Sequence, residues 1–334
     1  MKCSRFLAGI LLFPALVTGA AVAHAETTTY WAKGVDANGG WYDVDKTNDA
    51  GDDNMCYAAS ASNLIAWWQN MQPSVPSGTP TKVDDIFNRY KSASASKGQL
   101  AGDTGWALAW WISGVYLPEN ETEAARWLVP NVTTQADSSD LDAFDGYYAS
   151  QLGLTAEQMV QFCGVHTEER EGESYVLTSY SPSYGRVGER DFGTLLTSGY
   201  GIGLGLEFTE GENTYAHAVT LWGAEYDDSG NLLNLWLTDS DDAQSENWHE
   251  KNDGLFAAAV TMSDDGVVYL TTTENEQWEN GGSLYQGTWY SDAGDYHISS
   301  VFLLDSTAFS VPEPATATLG LLALTGLAVR RRRK

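Results

Sequence analysis

Cysteine is scarce in this chain. Three occur among 334 residues, Cys3, Cys56 and Cys163, too few for the disulfide framework on which many small exported domains depend. Basic side chains are also few: 18 Lys and Arg stand against 45 Asp and Glu, a formal net charge of −27. Part of that basic content sits at the two ends, at Lys2, Arg5 and the run Arg330 to Lys334, so the body between is more acidic still. Such a body repels phosphate backbones and excludes nucleic acid as a partner. His166, His249 and His297 are scattered, with no zinc spacing among them or with the cysteines. The acidic run Asp239 to Asp242 with Glu246 lacks a calcium loop's glycine at its sixth position, where Gln244 stands. Gly201, Gly203 and Gly205 alternate without the helix start of a dinucleotide site. No metal and no cofactor is expected. There is no internal repeat of a solenoid or propeller. What the chain has in plenty is aromatics, 13 Trp and 17 Tyr, the content of a folded body rather than a disordered one.

The ends read as address labels. Lys2 and Arg5 precede the apolar stretch Phe6 to Val17 and the small-residue ending Ala23-His24-Ala25, the order of a secretory signal peptide cleaved after Ala25. At the other end Val311-Pro312-Glu313-Pro314 is followed by fifteen uncharged, mostly apolar residues, Ala315 to Val329, and then by Arg330 to Lys334. That helix is short for a span, and the basic cluster would hold the chain end on the cytoplasmic side. The segment closely resembles the PEP-CTERM sorting signal, which implies an exosortase-type processing enzyme as a partner and the membrane as a transient one. An ordinary tail anchor is the alternative. The expected layout is a signal peptide at 1–25, one domain at 26–306 and the sorting signal at 307–334, in a protein exported to the cell envelope or surface.

Between the labels, helices come first. Tyr57, Ala61, Leu64, Ile65 and Trp68 recur at helical spacing and predict a helix from Met55 to Met71, with Asp52, Asp53 and Asn54 as capping side chains ahead of it. Further helices are expected at Val83–Tyr90, Gly105–Ile112, Leu141–Gln151, Ala156–Cys163 and 191–198, and a polar loop over 164–190. Strands follow at Ile202–Phe208, Ala218–Tyr226 and Leu232–Thr238, then at Phe256–Met262, Val267–Thr272 and His297–Leu304. Asp227-Asp228-Ser229-Gly230 is hairpin-turn chemistry between the second and third strands. The class is α+β, with a helical part packed on an antiparallel sheet.

Cys56 falls in the first turn of the first helix, where unpaired N–H groups carry a partial positive charge. That charge favours the thiolate, the nucleophilic form of a group whose ordinary pKa is roughly 8.5. The same N–H groups can hold an oxyanion formed when a thiolate attacks a carbonyl. A structural, buried cysteine is the plain alternative. The hairpin argues against it: a tight turn at 227–230 brings His217 opposite positions near 239–242, beside Asp239. On the first strand His217 shares a face with Val219 and Leu221, and on the second Asp239 shares one with Leu233, Leu235 and Leu237. A carboxylate beside an imidazole sets its tautomer and supports the imidazolium that pairs with a thiolate.

The order Cys, His, Asp, with helix first and sheet after, is the papain-like arrangement. Trp31 to Val35, Gly40 to Thr47, Asp52 to Cys56, Ala58-Ala59, Asn63 and Trp67-Trp68 resemble the IdeS/Mac family of immunoglobulin-degrading cysteine endopeptidases. So do His217 to Val219, Leu221 to Ala224, Asp228 to Leu232 and Thr238 to Asp241. The stretch 72–200 matches poorly. The resemblance implies Cys56 as nucleophile, His217 as general base, Asp239 as the orienting acid and Asp241 as a second supporting acid. It also implies an oxyanion-hole role for Lys46, otherwise an ordinary exposed lysine, together with the Cys56 N–H. Tyr57 stands where the immunoglobulin-cleaving members have Gly, and Ala216 where they have Asn. The reading is therefore a papain-like cysteine endopeptidase acting on an extracellular protein substrate, immunoglobulin-like or other. A non-catalytic surface adhesin or matrix-binding protein on the same fold is one alternative, and a transglutaminase-like acyltransferase a second.

Overall fold

The computed structural model describes residues 27–47, 52, 54–97, 103–114, 146–148, 166–170, 173–177, 179–210, 213–241, 254–271 and 296–306. The expected signal peptide, the sorting tail, Cys163, His249 and the expected helix at 156–163 lie outside them. So does the expected helix at 141–151, apart from 146–148, which are not helical. There the Tyr147 and Tyr148 N–H groups donate to the Trp111 and Ile112 carbonyls at the end of an earlier helix, at 2.9 and 3.0 Å.

Four helices are described: α1 (Cys56–Asn70), α2 (Val83–Lys97), α3 (Thr104–Ser113) and the short α4 (Phe192–Thr197). The strands are β1 (Thr27–Trp31), β2 (His166–Arg170), β3 (Glu173–Leu177), β4 (Arg186–Val187), β5 (Arg190–Asp191), β6 (Tyr200–Glu210), β7 (Asn213–Asp227), β8 (Leu232–Thr238), β9 (Phe256–Met262), β10 (Val268–Thr271) and β11 (His297–Asp305). The class is α+β, as expected. The expected antiparallel sheet is closed: its order β7-β6-β11-β10-β9-β8 returns to β7, so six antiparallel strands close on themselves, with β1 alongside the end of β7. Closure removes exposed strand edges. Its weakest seam is β10–β11, paired only at Tyr269 and His297. Residues 164–190 are not all loop either, because β2 and β3 form a hairpin there.

Every residue of α1 from Tyr57 to Gln69 is buried. A helix buried all round must satisfy its polar side chains locally. Ser60 Oγ donates to the Val219 carbonyl (3.1 Å) and Ser62 Oγ to the Ala58 carbonyl (2.7 Å). Asn63 Nδ2 donates to Thr220 Oγ1 (3.2 Å) and Thr238 Oγ1 (3.4 Å), tying α1 to both strands of the hairpin. The glycines of β6 explain the close approach. A Cβ at Gly201 would come within 2.7 Å of the Trp67 ring, and one at Gly203 within 3.2 Å of Ser60 Oγ. Gly201 and Gly203 are a packing surface for α1, while Gly205 faces Ser300 and Phe302 of β11. Trp67, Trp68, Trp110 and Trp111 all lie in the core.

Two local expectations are corrected. The N-cap of α1 is Met55, with no side-chain cap. The buried Asp52 carboxylate instead accepts from Lys91 Nζ (2.7 Å) and from the Thr47 backbone N–H (3.2 Å) and hydroxyl (3.1 Å). A charge partner outcompetes a capping site for a fully buried carboxylate. In β8 it is Leu232, not Leu233, that is buried with Leu235 and Leu237. A register shift between Glu225 and Tyr226 is the cause, since one extra residue on one strand flips the faces beyond it.

Candidate active site

The β7–β8 hairpin sets the site. At its tip the Gly230 N–H donates to the Asp227 carbonyl (2.9 Å), with Gly230 at φ +81°, and Asp227 Oδ1 accepts from the Ser229 and Asn231 N–H groups at 2.8 Å each. This turn sets the register that ends at Thr220 opposite Thr238. Just beyond, His217 Nε2 meets Asp239 Oδ1 at 2.7 Å, both groups buried. The Asp241 N–H donates to the same Asp239 oxygen at 3.0 Å.

The start of α1 brings Cys56 to the histidine. Cys56, His217 and Ala218 line the same cleft, and the imidazole and the Ala218 N–H lie close enough to favour the thiolate. Nε2 is engaged by Asp239, so proton exchange with the sulfur would have to use Nδ1. Cys56 is a free, half-buried thiol. The absence of a side-chain cap also leaves its own first-turn N–H untaken by any capping group.

Asp241 approaches the Nδ1 edge of the ring, with Oδ2 3.7 Å from Nδ1 and Oδ1 2.7 Å from Lys46 Nζ. Lys46 is 4 % exposed, which overturns the ordinary surface-lysine alternative. Its backbone N–H donates to the Ser240 carbonyl (2.9 Å), holding the segment before α1 against the end of β8. All five predicted residues therefore converge: Cys56, His217, Lys46 and Asp241 line one cleft of about 490 Å³, and Asp239 stands behind the histidine. Tyr57 and Ala216 line the same cleft.

The electrostatics follow from these contacts. Burial pushes the Cys56 thiol up, but the His217 hydrogen bond and charge, the Lys46 charge and the Ala218 N–H outweigh it and hold the thiol below its ordinary value. Burial likewise disfavours the charged His217 ring, yet Asp239 and then Cys56 hold it well above its ordinary value. Burial, aided by Asp239, raises Asp241 against the opposing charges of His217 and Lys46. The directions at Cys56 and His217 are those of a thiolate–imidazolium pair.

Some contributors carry no signal in the sequence. The Ala218 N–H is a backbone group that any residue type would supply. Thr238 Oγ1 receives Trp222 Nε1 (2.9 Å) and donates to the Tyr42 carbonyl (3.0 Å), bracing the residue before Asp239. His217, Asp239 and Asp241 present ligand atoms within 4.8 Å of one another, the spacing of a metal site. Here Lys46 supplies the positive charge on Asp241 instead.

Comparison with known proteins bears on the same residues. The sequence matches the Mac 1 family over 19–94 and 166–276, more than half of the chain and inclusive of all five site residues. The chain belongs to the Mac 1 family. The unmatched middle, 95–165, is narrower than the 72–200 expected. Residues 310–334 match the PEP-CTERM protein-sorting motif, as expected. An IgM protease of Streptococcus suis (strain P1/7) is similar at 29 % identity over 239 residues, 63 % of this chain. The match spans only 18 % of that protein's length. Among the described residues no helix is long and apolar enough to cross a membrane.

Proposed function

We propose that this Mac 1 family member is an exported cysteine endopeptidase of papain-like fold, hydrolysing a peptide bond of an extracellular protein through Cys56, His217 and Asp239. The observation that carries the reading is a thiol at a helix start that lines one cleft with a histidine whose Nε2 sits 2.7 Å from a buried carboxylate. In this reading residues 26–306 are the peptidase domain, released from a signal peptide at 1–25. Residues 307–334 hold the chain in the envelope membrane until an exosortase-type enzyme processes them.

The Cys56 thiolate attacks the scissile carbonyl, and the oxyanion that forms is met by the Cys56 N–H and the buried Lys46 ammonium. The His217 imidazolium gives its proton to the departing amine, leaving an acyl-enzyme on sulfur. The neutral ring then takes a proton from water, whose oxygen attacks the thioester; the S–C bond breaks, the acyl group leaves as the carboxylic acid product, and the thiolate–imidazolium pair is restored. Asp239 orients the ring and supports its charge; Asp241 holds Lys46 in place. The IgM-cleaving relative makes immunoglobulin one candidate substrate. Tyr57, Ala216 and the unmatched 95–165 set this chain's choice apart from its relatives'.

The deciding experiment is a proteome-wide cleavage profile with the Cys56→Ala chain as control. Cleavages that persist in the control, or an adhesive role that Cys56→Ala leaves intact, sink the reading. Amine incorporation without chain scission points to acyl transfer instead.

Two further outcomes are expected. The alkylation rate of Cys56 rises through a pH below the ordinary thiol value, because the thiolate is favoured by His217 and Lys46. In His217→Ala burial remains while the main lowering contact is gone, so this limb moves upward; an unmoved limb contradicts the pairing. Lys46→Met lowers kcat by about 10²-fold, the scale of a lost oxyanion donor. It also lowers the melting temperature, because the Asp241 carboxylate is left buried without its ammonium.

A further inference from the structure

Three large apolar side chains stand exposed among the described residues, Tyr30, Tyr184 and Met262. All three line one cleft of about 700 Å³. It shares no lining residue with the cleft at Cys56. The β7–β8 hairpin relates the two, since His217 lies in one and Tyr226 with the Asp227–Gly230 turn in the other. Tyr226 lies nine positions along β7 from His217, roughly 30 Å at about 3.3 Å per residue. Among the described residues, the exposed large apolar side chains gather in this one concave place, as they do at interaction sites.

The cleft is preorganised. Tyr184 is the one non-glycine residue with positive φ among those described, at 54°. Its N–H donates to the Gly266 carbonyl (2.8 Å) and its hydroxyl to the Asp264 carbonyl (2.9 Å). Its ring lies against Gly266, where a Cβ would come within 2.6 Å. A strained backbone and a pinned aromatic ring at an exposed position are not needed to bury a core. They hold the ring ready for a partner, so little side-chain entropy is lost on binding.

Charge selects the partner. Asp191, Asp227 and Asp228 at the cleft outnumber Arg186, so a cationic segment is favoured. A second copy of this chain, with its net charge of −27, meets like charge instead. We infer that this cleft binds an extended protein segment that combines aromatic or aliphatic side chains with Lys or Arg. In the peptidase it anchors the protein substrate at a distance from the scissile bond. The anchoring role rests on the peptidase reading; the binding does not.

Fluorescence anisotropy on the full chain carrying Cys56→Ala tests the binding, with three labelled peptides of equal length rich in Lys/Tyr/Leu, Glu/Tyr/Leu and Lys/Ser. The Lys/Tyr/Leu peptide is expected to bind about tenfold tighter than either other. Tyr184→Ala and, separately, Met262→Ser each weaken it about fivefold or more, with unchanged circular dichroism. Equal binding of the two Lys peptides, or indifference to both substitutions, overturns the inference. In the Cys56 enzyme, Tyr184→Ala lowers kcat/KM for a cleaved protein and spares its shortest cleaved peptide. Equal loss on both removes the anchoring role. A wild-type chain that cleaves nothing sinks the peptidase reading and leaves the binding result standing.

Discussion

Cys56→Ala is expected to lower turnover of any cleaved substrate by about 10⁴- to 10⁶-fold, the range seen when a nucleophile is removed from a working triad. The mutation removes the atom that becomes acylated, and nothing nearby replaces it: the adjacent hydroxyl is that of Tyr57, and Ala58 and Ala59 follow. Folding should be little affected. Cys56 is half-buried at the first position of α1, whereas the helix is anchored farther along by Ser60, Asn63 and the ring of Trp67. The two readouts are kcat on a substrate from the cleavage profile and the thermal midpoint of the same preparation. More than about a hundredth of wild-type turnover, with contaminating protease excluded, removes Cys56 as the nucleophile.

Asp239→Asn is the second large effect, a fall in kcat of about 10³- to 10⁴-fold. The carboxylate now accepts from His217 Nε2 at 2.7 Å and from the Asp241 N–H at 3.0 Å through the same oxygen. An amide keeps one accepting oxygen but adds an NH₂ donor and loses the charge. The imidazolium then loses its main support, because Asp239 is the largest of the causes that raise His217. The sign is clear: a raised histidine value lets the ion pair persist to higher pH, so losing Asp239 moves the alkaline limb of kcat/KM downward. Histidine titration followed by NMR alongside the pH–rate profile provides the check. Activity within tenfold of wild type, with an unmoved limb, leaves Asp239 a structural acid only.

Much of this site was legible because its parts are local patterns. The helical spacing of Tyr57, Leu64, Ile65 and Trp68 placed α1 to within one residue at each end. The turn Asp227 to Gly230 has chemistry of its own, and counting outward from it brought His217 to Asp239. The register shifts left that outcome intact yet exchanged Leu232 for Leu233, since alternation cannot reveal an inserted residue. The helix cap was misread for a related reason: Asp52 has a capping residue's chemistry and spacing, but Lys91, far along the chain, claims its carboxylate. The hairpin of β2 and β3 was hidden by polar composition, because strands such as His166–Arg170 carry no apolar alternation.

By itself the sequence determined the helix-first, sheet-after order of α1 and the β7–β8 hairpin, the thiol at a helix start, the imidazole and carboxyl one hairpin apart, and the family to which the chain belongs. These depend on side-chain periodicity and turn chemistry, which act over a few residues. The tertiary structure alone decided that the sheet closes, that Lys46 is buried on Asp241, that Cys56, His217 and Lys46 line one cleft, and that Tyr30, Tyr184 and Met262 share another. Each joins groups remote along the chain, and their meeting depends on how the helices and the closed sheet pack together, which no local pattern encodes.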